Sequence, residues 1–273
     1  MKKFQKIGAL VLTASLLISV VGCSSSSSSK STASDDKKTI IVGDTPVPAT
    51  EVLKKIEPIL AKKGYKLQIK EFTDYVTPNT ALANKEIDAN LYQHIPYLEN
   101  FNKQKHTDLT YTAKVFIAPM AVYSKKVKKL DELRNGAVIA VPNDPTNEAR
   151  ALKLLQKAGL IKLKGNDTVT KIDITENKKN IQIKELDAPQ LPRALNDVDA
   201  SVINTNYALQ ANLNPTKNSI YTEDKTSSYV NILAVRKEDK DKPYIKALSE
   251  ALNSPELKKF IQEKYKGTLI PTF

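Results

Sequence analysis

The chain alternates short unbroken apolar runs with stretches in which apolar residues recur three and four positions apart. Residues 39–43 (Thr-Ile-Ile-Val-Gly) are apolar without alternation, the pattern of a strand buried on both faces. Val52, Leu53, Ile56, Ile59 and Leu60 then follow a helical period, with Pro58 as a candidate kink and Gly64 as a stop signal. The same reading predicts strands over 66–72, 89–92, 109–117 and 120–123, and helices over 79–85 and 96–103, the latter opened by Pro96. A second set follows: a strand over 137–141, a turn through Pro142 to Thr146, and a helix over 147–158 stopped by Gly159. Strands over 171–174, 181–186 and 200–203 and a short helix over 191–195 continue it. A long strand over 229–235 and two helices broken at Asn253-Ser254-Pro255 close the chain.

Two βαβ sets, a return strand and closing helices argue for an α/β protein of two lobes. About 235 residues follow the N-terminal polar tract, more than one core usually organises. The strands over 120–123 and 229–235 are the natural crossings between lobes. In open α/β sheets ligands bind beyond the carboxyl ends of the strands. Five segments occupy such places: 72–76, 90–97, 143–150, 204–207 and 229–231.

Composition narrows the chemistry. With 41% hydrophobic residues in 273, the chain is not disordered. Its single cysteine excludes an intramolecular disulfide framework and a thiolate zinc cluster. Eight glycines contain no GxGxxG, no GxxxxGK[ST] and no GxSxG, so neither a phosphate loop nor a nucleophile elbow is visible. Neither His94 nor His106 has a serine or cysteine nucleophile nearby, and no carboxylate pair is spaced for acid–base work. The expectation is a binding protein with no catalytic residue, metal or cofactor. The charge is +12, yet only Arg134, Arg150, Arg193 and Arg236 among 42 basic residues are arginine. Scattered lysines read as a solvated surface and not as a nucleic-acid reader.

The first 22 residues change the setting. Lys2, Lys3 and Lys6 precede a fifteen-residue apolar run, 7–21, which is shorter than the roughly 20 residues a membrane span needs. This is a secretory signal, and Val20-Val21-Gly22-Cys23 resembles a bacterial lipobox. Residues 1–22 are read as the signal peptide. Residues 23–38, with six serines after Cys23, are read as a flexible tether from a lipidated Cys23. Without residues 1–22 the chain keeps 39 basic against 30 acidic residues, +9.

Within the five segments each candidate has two readings. His94 suits a satisfied structural histidine as well as a ligand contact. Tyr75 and Tyr92 suit packing as well as a binding wall, and Asn147 could cap its helix. Arg150 lies near a helix N-terminus, where a guanidinium makes a carboxylate cradle, or it pairs with Asp144 or Glu148.

Several segments taken together resemble the methionine-binding lipoproteins of bacterial ABC importers, the NlpA lipoproteins. They are Phe72-Thr73-Asp74-Tyr75-Val76-Thr77-Pro78-Asn79, Asp88-Ala89-Asn90-Leu91-Tyr92-Gln93-His94 and Tyr123-Ser124-Lys125-Lys126. Next come Ala140 through Asn147 with Arg150, Leu186 through Arg193, Val202 through Ala208 and Tyr229-Val230-Asn231. The resemblance implies a periplasmic-binding-protein-like fold with a ligand cleft between two lobes and two crossing segments. One lobe comprises 39–119 plus 229–273 and the other 120–228. It implies a monomer, lipid-anchored on the extracytoplasmic face of the cell membrane, that hands methionine to an ABC permease and its ATPase. D-Methionine, a methionine-containing dipeptide or another amino acid are alternative ligands, and a surface adhesin is an alternative role. By matching motifs, Phe72, Tyr75, Tyr92 and His94 would hold the thioether, and Arg150 with Asn147 the carboxylate. Asn204 and Asn231 would hold the amino and carboxylate ends. Two departures stand out: Val47-Pro48-Ala49-Thr50 replaces a frequent Pro-His-Ala-Glu run, and Tyr92 stands where phenylalanine is common.

Overall fold

In chain order the first elements are β1 (Thr39–Asp44), α1 (Ala49–Lys62), β2 (Lys66–Glu71), α2 (Thr77–Ala83), β3 (Ala89–His94), α3 (Ile95–Lys105) and β4 (Thr110–Ile117). Then follow β5 (Ala121–Tyr123), β6 (Val138–Pro142), α4 (Pro145–Lys157), β7 (Lys162–Leu163), β8 (Ile174–Glu176) and β9 (Gln182–Leu186). Next are α5 (Leu191–Ala194), β10 (Ala200–Ile203), α6 (Thr205–Gln210), α7 (Pro215–Asn218) and β11 (Tyr221–Thr222). The chain closes with β12 (Val230–Val235), α8 (Pro243–Leu252), α9 (Pro255–Tyr265) and β13 (Ile270–Pro271). This computed structural model describes residues 37–165 and 168–273. The signal peptide, Cys23 and nearly all of the serine tether expected from the sequence lie outside the described residues.

Two sheets organise the chain. One runs β13-β4-β12-β3-β1-β2, with β1 parallel to β2 and β3, and β12 antiparallel to β3 and β4. The other runs β11-β5-β10-β6-β9, with β6 parallel to β9 and β10, and β5 antiparallel to β10 and β11. The strands expected to cross between them do not themselves cross. β5 lies in the second sheet and β12 in the first, so the crossings are the loops 118–120 and 223–229 that precede them.

The unbroken apolar runs are explained by helices on both faces. In β12, Leu233 and Val235 pack with α1, α8 and α9, through Leu53, Ile56, Leu248 and Ile261 among others. Ile232 and Ala234 point the other way, to Leu82, Leu98 and Phe101 of α2 and α3. α1 buries Val52, Leu53, Ile56 and Leu60, each worth ~1.5–3 kcal/mol when fully removed from water. Pro58 lies on its exposed side, where a missing N–H is readily tolerated, and the helix runs through it. In the second sheet, Val122, Ile139 and Val141 meet Leu152 and Leu155 of α4, while Tyr123 and Ile203 meet Leu191, Leu195 and Tyr207.

Candidate functional site

The carboxyl ends of β1 and β3 in the first sheet and β6 and β10 in the second face a common cavity of about 40 Å³. On the same measure one water needs roughly 10–15 Å³. One wall is aromatic. Tyr75, Tyr92 and Tyr97 line it, their ring centroids 5.9–6.1 Å apart, and the Tyr207 ring lies tilted with its centroid 5.1 Å from that of Tyr75. Their hydroxyls are committed elsewhere. Tyr92 Oη and Tyr97 Oη both donate to the Tyr75 carbonyl, at 2.8 and 2.7 Å. Tyr75 Oη donates to Asn206 Oδ1 at 2.6 Å, and Tyr207 Oη to the Thr73 carbonyl at 3.1 Å. These last two bonds join the loop after β2 to α6, closing the cavity from the side of both sheets. Burial holds all four phenols above their ordinary range, so they stay neutral and present apolar faces. The hydroxyl by which Tyr92 departs from the commoner phenylalanine thus anchors the Tyr75 backbone.

The opposite wall is polar. His94 caps α3: its Nδ1 accepts the Tyr97 N–H at 3.2 Å. The ring proton therefore sits on Nε2, which lies 3.2 Å from Asn147 Oδ1. Burial, and then the Arg150 charge, push the His94 pKa down to about 3. Asn147 Oδ1 also accepts Asn204 Nδ2 at 2.8 Å, while Asn147 Nδ2 donates to Asp144 Oδ1 and Oδ2 at 3.1 and 2.9 Å. Asp144, not Asn147, caps α4, accepting the Asn147 N–H at 3.0 Å. Asn147 is thereby released from a capping role to bridge His94 and Asn204. Asn204 Oδ1 is left buried with no hydrogen-bond partner, next to the cavity that Asn204 lines.

Arg150 lines the same wall but pairs with neither Asp144 nor Glu148. Its Nε and Nη2 grip Glu223 at 3.0 and 2.5 Å, and Nη2 also donates to the Ala118 carbonyl at 2.9 Å. The Tyr229 ring covers the guanidinium at 4.4 Å and meets His94 edge-on at 5.0 Å. Asn231, opposite His94 in the β3–β12 ladder, completes the wall.

Of the eight ligand-binding candidates, seven line the cavity together: Tyr75, Tyr92, His94, Asn147, Arg150, Asn204 and Asn231. Phe72 does not. Its ring packs with Leu82, Ile87 and Phe101 and lies over Gly43, where a Cβ would stand 2.9 Å from Phe72 Cε2. Glu223, 73 positions from its partner Arg150, went unnoticed in the sequence; nothing local distinguishes it from the other acids. Tyr97 and Gln93 sit in segments already singled out. Gln93 Nε2 is spent on Asn79 and Asn90, at 2.6 and 2.8 Å, in a buried ring of three amides behind β3. Among the described residues no group of three or more His, Cys, Asp or Glu could hold a metal ion, and no helix is long and apolar enough to cross a membrane.

The sequence pattern of the NlpA lipoproteins matches residues 40–273. The D-methionine-binding lipoprotein MetQ of Escherichia coli K12 is 42% identical over 272 residues, covering 97% of this chain and 96% of its own. The methionine-binding lipoprotein MetQ of Bacillus subtilis is 44% identical, over 85% and 87% respectively. A solved nutrient-binding protein from Burkholderia cenocepacia bound to methionine superposes with a TM-score of 0.83 at 49% identity, covering 86% of this chain and all of its own. The chain therefore belongs to the NlpA lipoprotein family and has its two-lobed, periplasmic-binding-protein-like α/β fold.

Proposed function

We propose that the protein captures methionine in this cavity and hands it to an ABC permease and its ATPase, binding without turnover. The observation that carries the reading is Asn204 Oδ1, a buried acceptor without a donor, beside a guanidinium and across from an aromatic wall. An amino acid answers all three features. Its ammonium supplies the missing donor, its carboxylate meets Arg150 and Asn231, and its thioether lies against Tyr75, Tyr92 and His94. Sulfur on aromatic faces is favourable by about 0.3–1.5 kcal/mol, which favours methionine over polar amino acids. The names of the relatives and the methionine in the Burkholderia protein support the same ligand.

In this reading residues 39–119 with 229–273 form one lobe, 120–228 the other, and the two close over the ligand as a monomer. The lipoprotein names of the relatives support anchoring through Cys23, with residues 24–38 as the tether and the domain facing the extracytoplasmic side.

Calorimetry on the full chain in detergent, with L- and D-methionine, tests the ligand. Saturable binding of either enantiomer at one site is the expected result. No heat and no shift in melting temperature with either would overturn it.

A further inference from the structure

Arg150 turns its side-on edge into the protein. Glu223 accepts from Nε and Nη2 at 3.0 and 2.5 Å, and its Oε2 also accepts the Met120 N–H at 3.2 Å. The Glu223 N–H in turn donates to the Met120 carbonyl at 2.9 Å. The pair is deep: the Arg150 side chain is 3% exposed and that of Glu223 13%. A side-on fork of this kind fixes the plane of the guanidinium and leaves Nη1 as the edge outside it.

Charge follows from the same contacts. A buried arginine without a counter-ion would draw any carboxylate. Here a fixed carboxylate already neutralises it, and a second acid, Asp144, half-buried, is tied to Asn147 of the same wall. Asp224, the next residue, is held outside by exposed Lys157. A ligand carrying only a carboxylate would bring an uncompensated negative charge into this enclosure, which a low-dielectric interior penalises. A zwitterion brings none, and its ammonium meets Asn204 Oδ1.

We propose that Glu223 is a positioning and specificity-determining residue: it aims the free edge of Arg150 at the cavity and cancels its charge, so that the site admits a zwitterion and turns away a carboxylate lacking an ammonium group. This rests on the reading of the cavity as an amino-acid site.

The test is calorimetry of the full chain in detergent with methionine and with 4-(methylthio)butanoate, which has the same skeleton without the ammonium. Wild type is expected to prefer methionine on the order of 100-fold. In Glu223→Gln that preference should shrink about tenfold, with methionine weakened and the des-amino acid not. Glu223→Asp keeps the charge on a shorter arm and should retain the preference while losing affinity for both. An unchanged preference in Glu223→Gln, even with both ligands weakened, would reduce Glu223 to a structural support. Equal binding of both ligands by wild type would overturn the proposal without any variant having to fold. Wild type that binds neither compound would overturn the amino-acid reading, and this inference with it.

Discussion

His94 Nε2 stands 3.2 Å from Asn147 Oδ1, and burial first, with the Arg150 charge beside it, keeps the ring neutral against the opposing pull of that contact. Unfolded, the same ring takes a proton below pH ~6.5; folded, it resists until about 3. The unfolded chain therefore binds more protons in this window, and the histidine withdraws stability as pH falls from 6.5 towards 3. By pH 5 the loss is about 2 kcal/mol. Urea unfolding at pH 7.5 and 5 should show His94→Gln gaining that much on wild type at the lower pH. A pH-independent difference between the two would disprove the assignment.

Asp44 has the opposite sign. It is fully buried at the end of β1, its Oδ2 bonded to Thr50 Oγ1 at 2.7 Å and its Oδ1 without a partner, with Glu71 its register neighbour on β2. Burial first, and Glu71 as well, raise its pKa to about 6, against opposing contributions from Thr50 and Lys54. An acid whose folded pKa exceeds its unfolded one costs stability above the folded value and is relieved as pH falls through 6 towards 4. Asp44→Asn should stabilise the fold by about 2–3 kcal/mol at pH 7.5 and by little near pH 4. Thermal melts across that range would show the gain disappearing; a constant gain would contradict the titration.

On the proposed reading of the site, Arg150→Ala removes the charged partner of the ligand carboxylate, and it strands Glu223. Methionine affinity should fall on the order of 100-fold or more, with a lower melting temperature. Calorimetry giving wild-type affinity would refute the role of Arg150.

Phe72→Leu separates packing from binding. The ring is wedged against Gly43, where a Cβ would lie 2.6 Å from Ile87 Cδ1, so Gly43→Ala should cost about 1–3 kcal/mol by overpacking. Shrinking Phe72 should cost stability of similar size and leave methionine affinity within about threefold. A large affinity loss with little change in stability would return Phe72 to the binding wall.

Cys23→Ser should leave methionine affinity intact and move the protein from the membrane to the soluble fraction. Persistent membrane fractionation of this variant would rule out the lipid anchor.

Elements built on apolar periodicity were legible in the sequence: α1, β3, β6 and β10 fall within a few residues of expectation. Polar local bonding was not. Residues 171–174 read as a strand, yet Lys171–Asp173 is a 3-10 turn and the strand begins at Ile174. Asp173 Oδ2 accepts the Thr170 N–H at 2.8 Å and the Asp173 N–H bonds the Thr170 carbonyl at 3.0 Å, closing a turn that apolar spacing does not register. α4 starts at Pro145, two residues ahead of the expected helix, because Asp144 caps it by accepting the Asn147 N–H and Pro145 takes the first helical position. α6, six residues long and opened by Asn204 without a side-chain capping bond, was also missed. In the site, motif matching found residues on strand ends, but Glu223 depends on a partner 73 positions away.

In the first sheet, β4 has only β12 and β13 as neighbours, and both come from the last part of the chain. The second sheet is assembled from one uninterrupted stretch, β5 to β11. As the polypeptide emerges from N- to C-terminus, the second sheet can therefore be complete while β4 still has no strand beside it. The aromatic wall and the amide wall consequently mature at different moments. Tyr75, Tyr92 and His94 wait for the return of β12 and Asn231, so the pocket can be completed only after the second sheet has formed.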